Sequence, residues 1–182
     1  THHAFSDRGE AFCLLNDQAI AAQYLINQKK CHKILIVDLD VHQGNGTAEI
    51  FQNNADVITF SMHGQSNYPF RKETSDYDIA LPDKTDDTTY LSILQETLPE
   101  LLNIHRPDFV FYLAGVDILG TDKLGKLGCT LEGCKTRDSY VLGLCKSLGI
   151  PVQVSMGGGY SPAIKTIIEA HANTYRVARA LY

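Results

Sequence analysis

The chain has 182 residues, enough for one domain with a sizeable core. Its formal charge of −5 leaves no basic footprint and argues against direct nucleic-acid binding, and no apolar run approaches a membrane span. An apolar share of 44% excludes a disordered chain, and the acidic balance suits a cationic partner such as a lysine-rich peptide or a polyamine.

The chain starts at Thr1 without a methionine, and His2 and His3 follow before any secondary structure could hold them. Native termini fray, so a functional histidine pair there implies a chain cut from something longer. Asn16-Asp17 is a helix cap, and Ile20, Tyr24, Leu25 and Ile26 keep helical spacing over residues 17–29. Ile34-Leu35-Ile36-Val37 opens a strand over 34–39 that is buried on both faces. A short helix over 47–53 leads to a β-branched and aromatic strand over 57–62. Residues 63–78 read as one long polar loop, and a loop of that length is usually functional. A helix starts at 85–88 with Tyr90, Leu91, Leu94, Leu98, Leu101 and Leu102 on its apolar face, and Pro99 is expected to kink or break it. A third strand over 109–114, a Gly-rich loop over 120–128, a helix over 131–148 and a fourth strand over 150–156 follow. The last helix, over 162–181, is expected to turn Ile164, Ile167, Ile168, His171 and Tyr175 inward. Strands alternating with helices give an α/β fold with a mainly parallel sheet, and no linker or repeat divides residues 1–182. Cysteines 13, 31, 129, 134 and 145 form no C-x-x-C pair. They read as reduced, mostly buried thiols of a cytoplasmic protein, with access to the nucleus in a eukaryote.

Three strands end in unusual residues: Asp38, Asp40 and His42 after the first, Asp117 after the third, and Gly157-Gly158-Gly159-Tyr160 after the fourth. In a parallel sheet these ends share one edge, where ligands bind. Each aspartate alone could be a turn or helix cap. Together, Asp40, His42 and Asp117 offer two oxygens and one nitrogen, and three protein ligands with an open position is the catalytic zinc pattern. The mixed donor set leaves iron(II) open. The glycines let backbone approach a ligand closely, and Tyr160 would project a phenol from the loop rim. Adjacent side chains usually diverge, so only one of His2 and His3 need touch a substrate.

His2-His3, the D-x-D-x-H-x-G-x-G run from Asp38 to Gly46, A-G-x-D ending at Asp117 and G-G-G-Y ending at Tyr160 resemble, in this order, the histone deacetylase family of zinc hydrolases. The Gln43-Gly44-Asn45-Gly46 variant is most similar to class IV members and related bacterial proteins. The resemblance implies a three-layer arginase/deacetylase fold, with helices on both faces of the sheet and early sheet elements lying upstream of residue 1. It implies Asp40, His42 and Asp117 as zinc ligands, and His2 and His3 as catalytic histidines with His3 the proton shuttle. It also implies Asp38 as the partner of His2 and Tyr160 as the catalytic tyrosine. Phe12, Tyr68, Gly158 and Gly159 would line the substrate channel. Asp38, Asp40, His42, Ser61 and Met62 would hold a structural potassium ion, partly through backbone carbonyls. The implied activity is hydrolysis of the amide of N-acyl-lysine in a peptide or protein. The alternatives are a small-molecule amidohydrolase acting on acylated amines such as acetylpolyamines, and a truncated, non-catalytic binding domain. A two-manganese ureohydrolase fits less well, because Gln43 and Asn45 are not carboxylates. Two positions depart from the family. Ala11 stands where many relatives have glycine, and Asn45 replaces the carboxylate that pairs with the shuttle histidine in class I. With a neutral amide as neighbour, His3 is expected to stay uncharged to lower pH.

Overall fold

The structure is a computed structural model that describes residues 1–182. The chain runs α1 (Asp17–Asn27), β1 (Ile34–Asp38), α2 (Asn45–Phe51), β2 (Val57–Gly64), β3 (Tyr77–Leu81), α3 (Asp87–His105), β4 (Phe109–Ala114), α4 (Leu131–Ser147), β5 (Val152–Met156) and α5 (Ile164–Leu181). The aliphatic run of β1 is buried at every residue because it is the central strand, with β2 and β4 as parallel neighbours. Its side chains alternate between faces. Ile34 and Ile36 pack with Ala19 and Ala22 of α1 and Phe51 of α2, while Leu35 and Val37 join Leu94 and Leu98 of α3 and Val141 and Leu142 of α4. Helices therefore cover both faces of a five-stranded parallel sheet, as the resemblance implies.

Strand order decides where a ligand can sit. The order is β3-β2-β1-β4-β5. The chain steps outward from β1 to β2 and β3, and α3 then carries it back to β4 on the other side of β1. The connections after β1 and β4 thus leave in opposite directions and open a crevice at the carboxyl ends of these two strands, the topological switch point of an open parallel sheet. Asp40 and Asp117 follow those two strands.

Four local expectations are corrected. The loop read over 63–78 is interrupted, because β2 runs on to Gly64 and β3 begins at Tyr77. β3 was missed because it is an edge strand whose Asp78 and Ala80 face solvent, so it lacks a continuous apolar run. Pro99 does not break α3. Proline frees the carbonyl four residues back, and the Tyr140 hydroxyl from α4 donates to Gln95 O at 3.3 Å in its place. α5 buries Ala170 and Thr174 and packs Ile167 against the core as expected, but leaves Ile164, Ile168 and Tyr175 exposed; the Thr174 hydroxyl donates to Asp138 on α4. On α1, likewise, Ala19 and Ala22 are buried, while Ile20 and Tyr24 are exposed. All five cysteines are free and buried, as read from their spacing. No helix is long and apolar enough to cross a membrane.

Candidate metal centre and active site

β1 ends at Asp38, so Asp40 and His42 lie in the turn beyond it. That turn is folded around carboxylates. Asp38 Oδ1 accepts the amide of Asp40 at 3.1 Å, Asp40 Oδ1 accepts the amide of His42 at 3.0 Å, and Asp117 Oδ1 accepts the amide of Val41 at 2.9 Å. Asp40 Oδ1 and Asp117 Oδ2 then converge on His42 Nδ1, at 3.0 and 3.1 Å. All three residues are buried, and their ligand atoms lie within 4.8 Å of one another.

This cluster demands positive charge. Burial, then the charge of Asp40, pushes the Asp117 carboxyl up to about 7. Burial pulls the His42 imidazole down, but its bonds to Asp117 and Asp40 outweigh that and lift it to about 10. A proton on His42 thus does what a cation between the two carboxylates would do. Two carboxylate oxygens and one imidazole nitrogen at the open end of a crevice fit a divalent ion. The β5 loop closes the back of the cluster. The Gly158 amide donates to Asp40 Oδ2 at 2.6 Å, and a Cβ at this position would fall 1.9 Å from Asp117 Oδ2, so only glycine fits. Gly158 lines a small cavity with His3, Asp40, His42 and Tyr160, while Gly159 packs against Val116 and Ile167.

His2 and His3 are fixed by the α2 region. His2 O accepts the amide of Thr47, and Ala4 O accepts Asn16 Nδ2, whose oxygen caps α1. Their rings stay close, with centroids 4.1 Å apart, but turn to different partners. His2 Nδ1 meets Asp38 Oδ2 at 2.6 Å, and His3 Nδ1 meets Asn45 Oδ1 at 2.7 Å. Their ionisation separates accordingly. Burial lowers His2, but the charges of Asp38 and Asp40 lift it to about 9. Burial, then the charge of His2, lowers His3 to about 3. The low value of His3 thus comes chiefly from desolvation and its neighbour imidazole, while the Asn45 bond acts in the opposite direction.

A pocket of about 340 Å³ opens beside the cluster, with His3, Phe12, His42, Tyr68, Phe70 and Tyr160 among its lining residues. Tyr68 stands edge-on to His3 with ring centroids 4.9 Å apart, and Phe12 is exposed at the rim, 6.1 Å from the Tyr160 ring. Tyr160 is held by its amide, which donates to Asp122 Oδ2 at 2.6 Å, and its ring lies 6.5 Å from that of His42. Burial, then the charges of Asp40 and Asp117, pushes its phenol up to about 12, so it keeps its proton at neutral pH. Of the residues the resemblance assigns to potassium, Asp38 and Ser61 share a small cleft with Thr59 and Ser75.

Two residues that the sequence reading passed over support the site. Glu10 Oε1 accepts Asn45 Nδ2 at 3.0 Å and also the Tyr68 hydroxyl. Arg137 on α4 is fully buried, and its Nη1 donates to Leu39 O at 3.2 Å and Gly115 O at 2.6 Å, the carbonyls just ahead of Asp40 and Asp117. Its charge is balanced by Asp138, whose carboxylate also accepts the Tyr112 and Thr174 hydroxyls. One side chain thereby ties together the ends of β1 and β4. The only signal in the sequence is an Arg-Asp pair at the helical spacing of the apolar stripe Cys134, Val141, Leu142 and Cys145. Arg137→Ala would strand Asp138 in the core and should lower the unfolding free energy by about 3–5 kcal/mol. Denaturant melts of the two proteins test this, and a change below about 1 kcal/mol would contradict it.

The comparisons agree with this geometry. Residues 1–175 match the Histone deacetylase domain family. An uncharacterised protein of Picosynechococcus is 48% identical over the whole chain, which spans 61% of that protein. Histone deacetylase 2 of Arabidopsis thaliana is 29% identical over 92% of the chain and 44% of its own length. The crystal structure of acetylpolyamine aminohydrolase from Burkholderia pseudomallei superposes with a TM-score of 0.81 at 28% identity, covering 99% of this chain and 54% of that one. With four ordered motifs on one sheet edge, the parallel fold beneath them and a family match over nearly the whole length, this chain belongs to the histone deacetylase family.

Proposed function

We propose that the chain carries the site of a metal-dependent hydrolase that cleaves the amide of N-acyl-lysine in peptides or proteins, releasing a free amine and a carboxylate. The observation that carries this reading is the buried cluster of Asp40, His42 and Asp117, whose His42 lines a pocket that also has His3 and Tyr160 in its wall. Zinc, or iron(II), bound by Asp40, His42 and Asp117 would supply Lewis-acid chemistry and an acidified water there.

The remaining work falls to side chains. His3, uncharged across the working pH range, accepts the proton of the attacking water. His2, held as an imidazolium by Asp38, keeps positive charge beside the reacting centre. Tyr160, protonated at neutral pH, donates to the oxyanion that forms from the amide carbonyl. The proton taken up by His3 then passes to the leaving amine, since an amide nitrogen leaves poorly unless protonated. Phe12 and Tyr68 flank the aliphatic stem of the substrate. A structural potassium ion held by Asp38, Asp40, His42, Ser61 and Met62, partly through backbone carbonyls, belongs to the same proposal.

The chain spans 61% of its cyanobacterial relative and about half of the solved aminohydrolase. We propose accordingly that residues 1–182 are the C-terminal portion of one catalytic domain. The exposed apolar side chains Leu14, Leu15 and Ile20 on one side and Ile164 and Ile168 on another support upstream sheet elements packing there. A second substrate reading, an acetylated polyamine, is favoured by the structural likeness to the acetylpolyamine aminohydrolase. The test is turnover of acetyl-lysine peptides and acetylpolyamines in parallel by zinc-loaded protein that includes any upstream sequence. Preference for peptides is expected. Preference for polyamines would move the assignment to the second reading, and turnover of neither by metal-saturated protein would leave the chain a binding domain.

A further inference from the structure

Glu10 lies outside every motif that marks the site, yet one of its oxygens holds two of the side chains that contact His3, the Asn45 amide and, by its hydroxyl, Tyr68. Residues 10–13 form a tight turn in which Glu10 and Cys13 exchange backbone hydrogen bonds of 3.0 and 2.9 Å, with Ala11 in the left-handed region at φ 50°. This turn sends Phe12 outward to the pocket rim and Glu10 inward behind the active site. There Oε1 accepts Asn45 Nδ2 and the Tyr68 hydroxyl, while Oε2 faces Arg8 Nε at 3.5 Å, towards the surface.

The chemistry of this chain of contacts runs in one direction. An ionised carboxylate only accepts hydrogen bonds, so the end of the Asn45 amide that faces Glu10 must be its NH2. The end that faces His3 is then the carbonyl oxygen, which also only accepts. His3 Nδ1, 2.7 Å from that oxygen, must therefore carry the ring proton, and Nε2 is left with the free lone pair. If the Asn45 amide turned over, its NH2 would favour the opposite tautomer, with the proton on Nε2 and no base to offer. Asn45 alone cannot decide between these arrangements, because either end of an amide can face an imidazole. We propose that Glu10 is a positioning residue: it fixes the Asn45 amide and, through it, the tautomer and ring orientation of His3, and it anchors the Tyr68 wall against which His3 packs. A carboxylate one amide removed from His3 thus supplies the direction that an aspartate at position 45 would supply by direct contact.

This inference rests on the proposed role of His3 as the proton acceptor. The test uses zinc-loaded protein, its Glu10→Ala, Glu10→Gln and Asn45→Asp variants and the Glu10→Gln/Asn45→Asp double variant. Each is examined by 15N NMR of the imidazoles and by kcat and KM on an acetyl-lysine peptide. In the wild type, His3 should show one tautomer, protonated at Nδ1. Glu10→Ala should mix the tautomers and lower kcat about 10- to 100-fold, the range found for lost outer hydrogen-bond partners, with little change in KM. Glu10→Gln keeps an acceptor but, as an amide, no longer forces the Asn45 NH2 to face it, so its kcat should fall between those of the wild type and Glu10→Ala. Asn45→Asp alone places two carboxylates about 3 Å apart, at the distance the amide and Glu10 now hold, and should be impaired. The double variant reverses the donor and acceptor of that contact and should recover activity relative to Asn45→Asp. An unchanged Nδ1-protonated His3 in Glu10→Ala, or losses that simply multiply in the double variant, would overturn the proposal. If the wild type hydrolyses no acyl-lysine, the reading of the activity fails separately, and the tautomer of His3 alone decides the role of Glu10.

Discussion

Replacing Asp117 with alanine should empty the metal site and abolish turnover. The substitution removes one of two carboxylate ligands and leaves Asp40 and His42, too few for a tightly held divalent ion. It also deprives the Val41 amide of its acceptor and loosens the turn that aims Asp40 and His42. Turnover should fall by more than ~10³-fold, the scale of losing a single oxyanion donor, because a whole Lewis acid is lost here. Metal content by mass spectrometry and initial rates on an acyl-peptide check both effects. A variant that kept one metal per chain and normal rates would show that Asp117 is only a turn residue. The same carboxylate sets a pH dependence for the wild type. In the metal-free site burial and the charge of Asp40 push the Asp117 carboxyl up to about 7, bonds to the two carboxylates lift His42 to about 10, and ligands must lose their protons to bind. Metal affinity should therefore weaken as pH falls below about 10 and more steeply below about 7, and loading near neutral pH should release protons.

Tyr160→Phe deletes one hydroxyl and leaves the anchoring amide bond to Asp122 in place, so ring position and metal content should hold. What is lost is a donor to developing negative charge, and turnover should fall about 10²–10³-fold. The effect should appear in kcat more than in KM, because the oxyanion exists only past the ground state. Wild-type kcat in this variant would make Tyr160 a packing residue of the pocket rim.

What the sequence made legible follows from burial. β1 and β4 stand out because a strand covered on both faces must be apolar throughout, so the polar residues just past Asp38 and Ala114 mark the strand ends. Parallel geometry then places those ends together, and the switch point between β1 and β4 brings Asp40 near Asp117. β3 was illegible because half of it faces water. The carbonyl that Pro99 frees in α3 is met by the Tyr140 hydroxyl, which comes from another helix. The exposed stripes on α1 and α5 carry an amphipathic pattern with no partner in residues 1–182 on those sides. Arg137 and Glu10 were missed for a related reason. A charged side chain that supports a site is revealed by what it touches, namely Leu39 O and Gly115 O for Arg137 and Asn45 and Tyr68 for Glu10, and those contacts join residues far apart in the chain.

The most direct measurement is metal content and acyl-lysine turnover on a single preparation, taken as purified, after exhaustive chelation and after zinc is returned. One divalent ion per chain, turnover lost with the ion and turnover regained with zinc are expected from a site built by Asp40, His42 and Asp117. Full turnover by metal-free protein with chelator still present would contradict a metal-dependent hydrolase.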